Sequence, residues 1–506
     1  MAPALDFDVL IVGAGLSGIG AACHLVREGT GKSFAILERR HAVGGTWDLF
    51  TYPGIRSDSD MLTFGFSFRP WIGTKVLADG PSIKQYVADT AAEHGVDEHI
   101  RFGRRVVRAS WSTEAGHWTV EVDADGTPET YTSRFLVGAT GYYSYDEGHR
   151  PAFPGEEAFT GNGGRVVHPQ FWPDDLDHSG KRVVIIGSGA TAITLVPAMA
   201  TGEGAAEHVT MLQRSPSYVM TVPANDPVAS PLARIGVPAG LIYRTGRVRN
   251  ILLQQAVYKL CRARPALARK VLLAAVRRQV GPKIDMVHFT PSYDPWDERL
   301  CVVPNGDLFR VLRRGQASIV TDHVETFTEA GIRLRSGDEL EADIVISATG
   351  LQIQLAGGAE LVVDGEVVDT RDRMLYKGVL MEGVPNSLFV IGYTNASWTL
   401  KADLASEYFC RLLSHMDEHG HDQVVPVASP GERTDVSVLG DSMRSGYIQR
   451  GDAVMPRQGK RMPWRIRNDY LRDAPELRRG AVADPALRFG TTRTSDAGAA
   501  SAAAVG

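Results

Sequence analysis

Asp8-Val-Leu-Ile-Val-Gly13-Ala-Gly15-Leu-Ser17-Gly18 decides the fold of this 506-residue chain. Asp8–Val12 reads as a buried strand, and three glycines spaced GxGxxG turn it straight into a helix predicted over Leu16–Glu28. The first glycine makes a tight turn, the second lets a pyrophosphate approach the backbone, and the third packs helix against strand. An anion held there sits at the positive end of the helix dipole. Ser33–Leu37 is predicted as the next strand and ends at Glu38, about twenty residues on, where a carboxylate can accept from both hydroxyls of a ribose.

The pattern returns at Gly187-Ser188-Gly189-Ala190-Thr191-Ala192, after a strand over Arg182–Ile186. The partner strand His208–Leu212 now leads into Gln213-Arg214-Ser215, with no acid. Glu38 repels a 2′-phosphate, so the first turn, with Gly13, Gly15, Ser17 and Gly18, suits FAD or NAD. Arg214 offers a planar fork and Ser215 a hydroxyl to a 2′-phosphate, which suits NADPH. Ala139-Thr140-Gly141 and Ala348-Thr349-Gly350 each follow an apolar strand and mark where the chain leaves a nucleotide domain. The fold expected is α/β, with two Rossmann-like dinucleotide-binding domains of the glutathione-reductase-like type and a helical insertion in the second. The expected division is 1–144 for the first part of the FAD domain and 145–226 for the linker and first part of the NADPH domain. The insertion follows at 227–300, the rest of the NADPH domain at 301–380, the rest of the FAD domain at 381–483, and a disordered tail at 484–506.

Composition narrows the alternatives. Lys and Arg number 54 against 59 Asp and Glu, a net charge of −5, which gives no global basic field for nucleic acid. The 53 glycines exceed the roughly 7% of an average protein and cluster beside apolar runs. Four cysteines lie far apart without a CxxC, which argues against disulfides, a zinc site or a dithiol reductase and fits a reducing cytoplasm. No metal site is expected. The opening apolar stretch lacks a cationic segment and is broken by glycines, so it is expected to be a strand rather than a signal peptide.

Gly44-Gly45-Thr46-Trp47, the run Tyr52-Pro53-Gly54-Ile55-Arg56-Ser57-Asp58, and Gly164-Arg-Val-Val-His168-Pro-Gln-Phe-Trp172-Pro173 together resemble class B flavoprotein monooxygenases of the type I Baeyer–Villiger group. YPGIRSDSDM, DERLCVVPNGDLFR and GYTNASWTLKADL resemble the branch that includes thioamide-prodrug-activating monooxygenases. The resemblance covers roughly residues 5–425. It implies that Gly45, Thr46, Trp47, Asp48, Arg56, Ser57, Asp58 and Val106 join the flavin site, and that Ser188, Ala190 and Thr191 join the NADPH turn. It also implies that Arg299 is the catalytic cation, paired with Asp58, and that His168 couples domain motion rather than transferring a proton. For Asp58 a loop-capping role in the turn-like SDSD run stays open. Two departures stand out: the fingerprint's phenylalanine position holds Asn162, with Phe159 three residues early, and Glu298 stands where many members carry a lysine that helps hold the 2′-phosphate.

The implied activity is FAD- and NADPH-dependent insertion of one atom of O2 into a small apolar ketone through a C4a-peroxyflavin, giving an ester or lactone. Oxygenation of sulfides or thioamides at the same site is a further expectation. The alternative is an N- or S-hydroxylating flavin monooxygenase without ketone chemistry; such enzymes generally lack the arginine–aspartate pair. Between Pro227 and Lys283 lie twelve Lys/Arg and no Asp or Glu, interleaved with Leu, Ile and Val. That segment reads either as helices with a solvated basic face or as a peripheral contact with anionic lipid on an otherwise cytoplasmic protein.

Overall fold

The computed structural model describes residues 4–440 and 446–491. Strand Phe7–Val12 runs parallel between Phe34–Leu37 and the far half of the long strand Thr127–Gly138, with Ile100–Arg101 and Ser387–Phe389 at the two flanks. Helices Leu16–Arg27 and Trp398–His419 pack on each other beside this sheet. The near half of Thr127–Gly138 belongs to an antiparallel meander with His117–Ala124 and Arg104–Ser112. In His117–Ala124 the side chains of Trp118, Val120, Val122 and Ala124 alternate inward, as a strand with one covered face requires.

The second half repeats the plan. Five parallel strands lie in the order Ala317–Thr321, His208–Gln213, Arg182–Ile186, Ile344–Ser347, Arg165–Val167, and helix Ala190–Met199 follows the second glycine turn. A second meander, Val324–Thr328, Gly331–Leu334 and Glu339–Glu341, stands beside it. The molecule is thus an α/β protein with two Rossmann-like halves. Tyr143–Gly148 and Leu351–Ile353 pair antiparallel where the chain crosses between the halves.

Two expected boundaries move. The chain is back in the first sheet by Glu360–Val363, which pairs with Arg104–Ser112, rather than at residue 381. The short run Glu360–Val367 is a two-strand edge hairpin whose local pattern does not reveal its partner, so only tertiary pairing assigns it. Likewise Leu487–Gly490 is a strand paired with Gln423–Pro426, so residues 484–491 are not a disordered tail; residues 492–506 lie outside the described set. This strand is held by its pairing and by Leu487 buried in the core of the first half, neither of which its local sequence reveals.

The insertion enters after strand Val219–Val222 and leaves before its parallel partner Cys301–Pro304. It forms helices Ala229–Arg234, Ala239–Ala263 and Pro265–Val280. Ile242, Tyr243, Gly246, Arg247 and Ile251 recur at helical spacing and are buried, with Tyr243, Gly246 and Arg247 against the Met61–Phe66 segment of the first half and Ile251 against Tyr393, Ala396 and Leu400. Gly246 permits this approach, because a Cβ there would lie 2.6 Å from Leu62. Arg247 donates through Nη1 to the carbonyls of Leu62, Thr63 and Gly65 at 3.1, 3.1 and 2.6 Å. Its Nη2 lies 3.7 Å from Asp403, whose other contacts are His24 Nε2 at 3.3 Å and the Ser67 amide at 2.8 Å. Burial opposes the charge on Asp403, but His24, Arg247 and the Ser67 amide outweigh it and hold the carboxyl below its usual range.

Arg247→Met leaves three carbonyls and a buried carboxylate without their guanidinium. The expected loss is about 3–5 kcal/mol of unfolding free energy, read by urea denaturation. A loss below about 1 kcal/mol would show that the segment is held by other contacts.

Candidate active site

Each glycine turn lies against an alanine turn. Gly13 has φ +106°, and a Cβ there would sit 2.7 Å from the carbonyl oxygen of Ala139. Gly187 has φ +147°, and its Cβ would sit 2.4 Å from the carbonyl oxygen of Ala348. A Cβ at Gly18 would come within 1.8 Å of the Gly13 carbonyl, so only glycine allows this helix to seat. In the second half Ala192 fills the equivalent place, fully buried. A Cβ at Gly189 would meet nothing within 4 Å, so the turn opens onto free volume. Both turns face one continuous cavity of about 860 Å³.

In the first half the cavity wall takes in Gly13, Gly15, Ser17, Glu38, Gly45, Thr46, Trp47, Arg56, Ser57, Asp58 and Val106. Glu38 is buried, and its two oxygens accept from the amides of Ala14 at 2.7 Å and Arg40 at 2.8 Å. Burial pushes this carboxyl up, against the pull of those amides. Gly45 rests on Gly15, 3.1 Å from its Cα to a Cβ built on Gly45. Thr46 bonds the Tyr143 hydroxyl, and Ser17 accepts from Trp398 Nε1 at 2.8 Å. Arg56 pairs with Asp307 at 2.6 Å through Nη1, and its Nη2 is buried without a partner. Asp48 does not reach the wall, contrary to expectation. It is drawn away by Arg40 at 2.5 Å and Lys84 at 2.6 Å; burial raises its carboxyl, but these two cations prevail and lower it.

In the second half Gly187, Ser188, Gly189, Ala190, Thr191, Arg214 and Ser215 line the same cavity. Arg214 is exposed and makes no ion pair among the described residues. Glu298 lies near enough to feel its charge. Burial raises the Glu298 carboxyl, while Tyr293 and Arg214 pull it down. Sequence reasoning missed Arg450, on helix Gly446–Gly451, which lines the same corner. Burial lowers its pKa first, and the charge of Arg214 lowers it further, so two cations converge there. No local signal marks Arg450, because it falls in the part of the chain the resemblance does not reach.

Arg299 and Asp58 meet on the wall near both turns, although 241 residues separate them. Nε lies 3.2 Å from Oδ2 and Nη2 3.3 Å from Oδ1, a two-pronged pair that fixes the plane of the guanidinium. Each side chain is about one third exposed to the cavity.

The fingerprint segment lies off the cavity. His168 Nδ1 accepts from the Gln170 amide at 3.2 Å, so its Nε2 carries the proton toward the Gly350 carbonyl at 3.3 Å. Burial lowers its pKa, which favours this neutral form. The ring covers Gly148, where a Cβ would approach it within 2.1 Å, so His168 bridges both crossing strands. Trp172 packs on the core of the second half, and the Pro173 carbonyl closes a turn at Leu176. Phe159 is fully buried with its ring 2.5 Å from a Cβ built on Gly164, so Phe159 and not Asn162 packs on that glycine. The Asn162 side chain is exposed and donates to the Glu329 carbonyl at 3.1 Å.

The sequence pattern of NAD(P)-binding Rossmann-like domains matches residues 11–74, and that of flavin-binding monooxygenase-like proteins matches residues 77–414. The chain belongs to the flavin-binding monooxygenase-like family. It is 54% identical over 496 residues to MymA of Mycobacterium tuberculosis, covering 97% of this chain and 99% of that one. It is 52% identical over 483 residues to the FAD-containing monooxygenase EthA of the same organism, covering 95% and 97%. Among solved structures, an oxidized steroid monooxygenase bound to NADP has the same fold, with TM-score 0.75 at 23% identity over 96% of this chain and 99% of that one.

Phe159→Ala is expected to cost about 3–5 kcal/mol in unfolding free energy. Asn162→Ala should cost less than about 1 kcal/mol, since its bond is exposed. Equal losses in thermal unfolding would mean that the linker is not packed through Phe159.

Proposed function

We propose that the protein is an FAD-dependent, NADPH-consuming Baeyer–Villiger monooxygenase that inserts one oxygen atom beside the carbonyl of small apolar ketones. The observation that carries this reading is the Arg299–Asp58 pair on the wall of the cavity that both glycine turns share. The name of EthA as FAD-containing and the NADP in the steroid monooxygenase structure support the choice of cofactors.

The residues fit both groups. The free volume at Gly189, the close approach of Gly45 to Gly15 and the unpartnered Arg56 Nη2 are features that a bound dinucleotide pair would use. Gly13, Gly15 and the N-terminus of helix Leu16–Arg27 would hold the FAD pyrophosphate, with Glu38 accepting from the ribose. Gly187, Gly189 and helix Ala190–Met199 would hold that of NADPH, and Arg214, Ser215 and Arg450 its 2′-phosphate. Arg450 takes over the task of the lysine that Glu298 replaces.

Bound flavin, once reduced by NADPH, supplies the activated oxygen. The chain's own task is charge. When oxygen is delivered to a carbonyl carbon, negative charge gathers on the carbonyl oxygen, and a fixed cation in a confined site stabilises it. Arg299 stays protonated in any such setting, which a buried lysine would not. Asp58 holds the guanidinium plane and offsets the cost of confining it. Migration of a carbon then yields the ester or lactone, and the second oxygen atom leaves as water. The same cavity admits sulfides and thioamides as oxygen acceptors.

Arg299→Ala should retain bound flavin and its reduction by NADPH but lose ester formation by at least about a hundredfold, measured by gas chromatography of ketone reactions. Ester formation at the wild-type rate would contradict the role. Arg214→Ala and Arg450→Ala should each raise the KM for NADPH roughly ten- to a hundredfold, with little change for NADH. Equal effects on both cofactors would remove these residues from the 2′-phosphate.

A further inference from the structure

Helix Ala239–Ala263 has one face turned inward, onto Met61–Phe66, and an outer face that is unlike an ordinary solvated surface. Leu241, Val248 and Leu252, at spacings of a single helical stripe, are each more than half exposed. On the following helix, Pro265–Val280, Leu267 and Val271 are also more than half exposed and share a stripe with Ala274. Basic residues flank both stripes: Arg244 on the first helix, Lys270 and Arg277 on the second, all exposed. The side chains of these three form no ion pair or hydrogen bond among the described residues. Arg249, Lys259 and Arg262 are already paired with Asp226, Asp469 and Asp297, all outside the segment. Between Pro227 and Lys283 there is no acid to neutralise the rest, in a chain whose net charge is −5.

We infer that this helical hairpin docks the protein on an anionic lipid bilayer. An apolar stripe bordered by free cations, with no carboxylate among them, complements a bilayer surface whose headgroups are negative and whose acyl boundary is shallow. A protein partner would need neither the absence of acids nor so many exposed branched side chains in open stripes. No helix among the described residues is long and apolar enough to cross a membrane, so the contact is peripheral. Docking has a structural consequence. The helix that would meet lipid on one face holds, on the other, the segment that contributes Phe64 to the cavity wall, so the cavity lies about one helix diameter, roughly 10 Å, from the bilayer.

The test is co-sedimentation of the flavin-loaded full chain with phosphatidylcholine vesicles with and without phosphatidylglycerol, at low and high salt. Binding is expected only to vesicles containing phosphatidylglycerol, and high salt should weaken it. Each basic residue near such a surface is worth roughly fivefold in partitioning. The combined variant Arg244→Glu, Lys270→Glu, Arg277→Glu should therefore reduce binding at least about tenfold. Leu241→Gln with Leu252→Gln and Leu267→Gln should also weaken it, and both variants should keep the wild-type melting temperature and NADPH oxidation rate. Equal binding to both vesicle types, or to neither, would overturn the inference. So would a dimer in sedimentation velocity that these substitutions dissolve while vesicle binding is unchanged, because the stripes would then belong to a second copy of this chain.

Discussion

The arrangement of this molecule rests on backbone packed against backbone, without room for a side chain. Gly13 meets the Ala139 carbonyl and Gly187 meets the Ala348 carbonyl at distances that exclude a Cβ. Each contact fixes where a parallel strand ends and where the chain must leave its sheet, at Ala139-Thr140-Gly141 and at Ala348-Thr349-Gly350. The two departing stretches pair as Tyr143–Gly148 and Leu351–Ile353. With both exits tied together, the two glycine turns open onto one cavity instead of two separate clefts. His168 covers Gly148 and reaches the Gly350 carbonyl, so the fingerprint segment packs on this crossing and off the cavity wall.

Charge is then distributed over that frame from distant parts of the chain. Asp58 comes from the first half and Arg299 from the end of the insertion, and they meet as a two-pronged pair. The segment after Asp58 is held by the inner face of the long helix, through Tyr243 and the buried Arg247, whose charge is answered by Asp403. The insertion therefore supports the wall nearest the Arg299–Asp58 pair, although in sequence it belongs to the other half. Arg247 ties that wall to the helix through three backbone carbonyls, and a wall anchored in this way suits the preorganised cation that Arg299 is proposed to be.

Much of this was legible from residue types alone. Both GxGxx(G/A) turns, their strands and Glu38 follow local rules of turn geometry and periodicity, and the structure places them as those rules require. The Ala-Thr-Gly exits were also readable, because an apolar strand ending in small residues leaves few alternatives. What escaped was settled by partners far along the chain. The edge hairpin Glu360–Val367 and the strand Leu487–Gly490 carry no local mark of their pairing. Arg450 looks like any surface arginine until helix Gly446–Gly451 brings it beside Arg214. Asp48 sits within a motif yet is claimed by Arg40 and Lys84, a competition that no motif reveals. Phe159 shows the reverse: three extra residues disturb the motif, and packing on Gly164 restores its sense.

The Arg299–Asp58 pair is proposed to serve oxygen transfer to a carbonyl within this cavity. The most direct measurement is turnover of the FAD-loaded enzyme with NADPH and isotopically labelled O2 across cyclic, aryl and long-chain ketones and matched sulfides and amines, with mass analysis of products and assay of hydrogen peroxide. An ester or lactone carrying one labelled oxygen for each NADPH consumed, with little peroxide, is expected. Stoichiometric hydrogen peroxide with every ketone recovered unlabelled, or labelled products only from sulfur or nitrogen compounds, would contradict it.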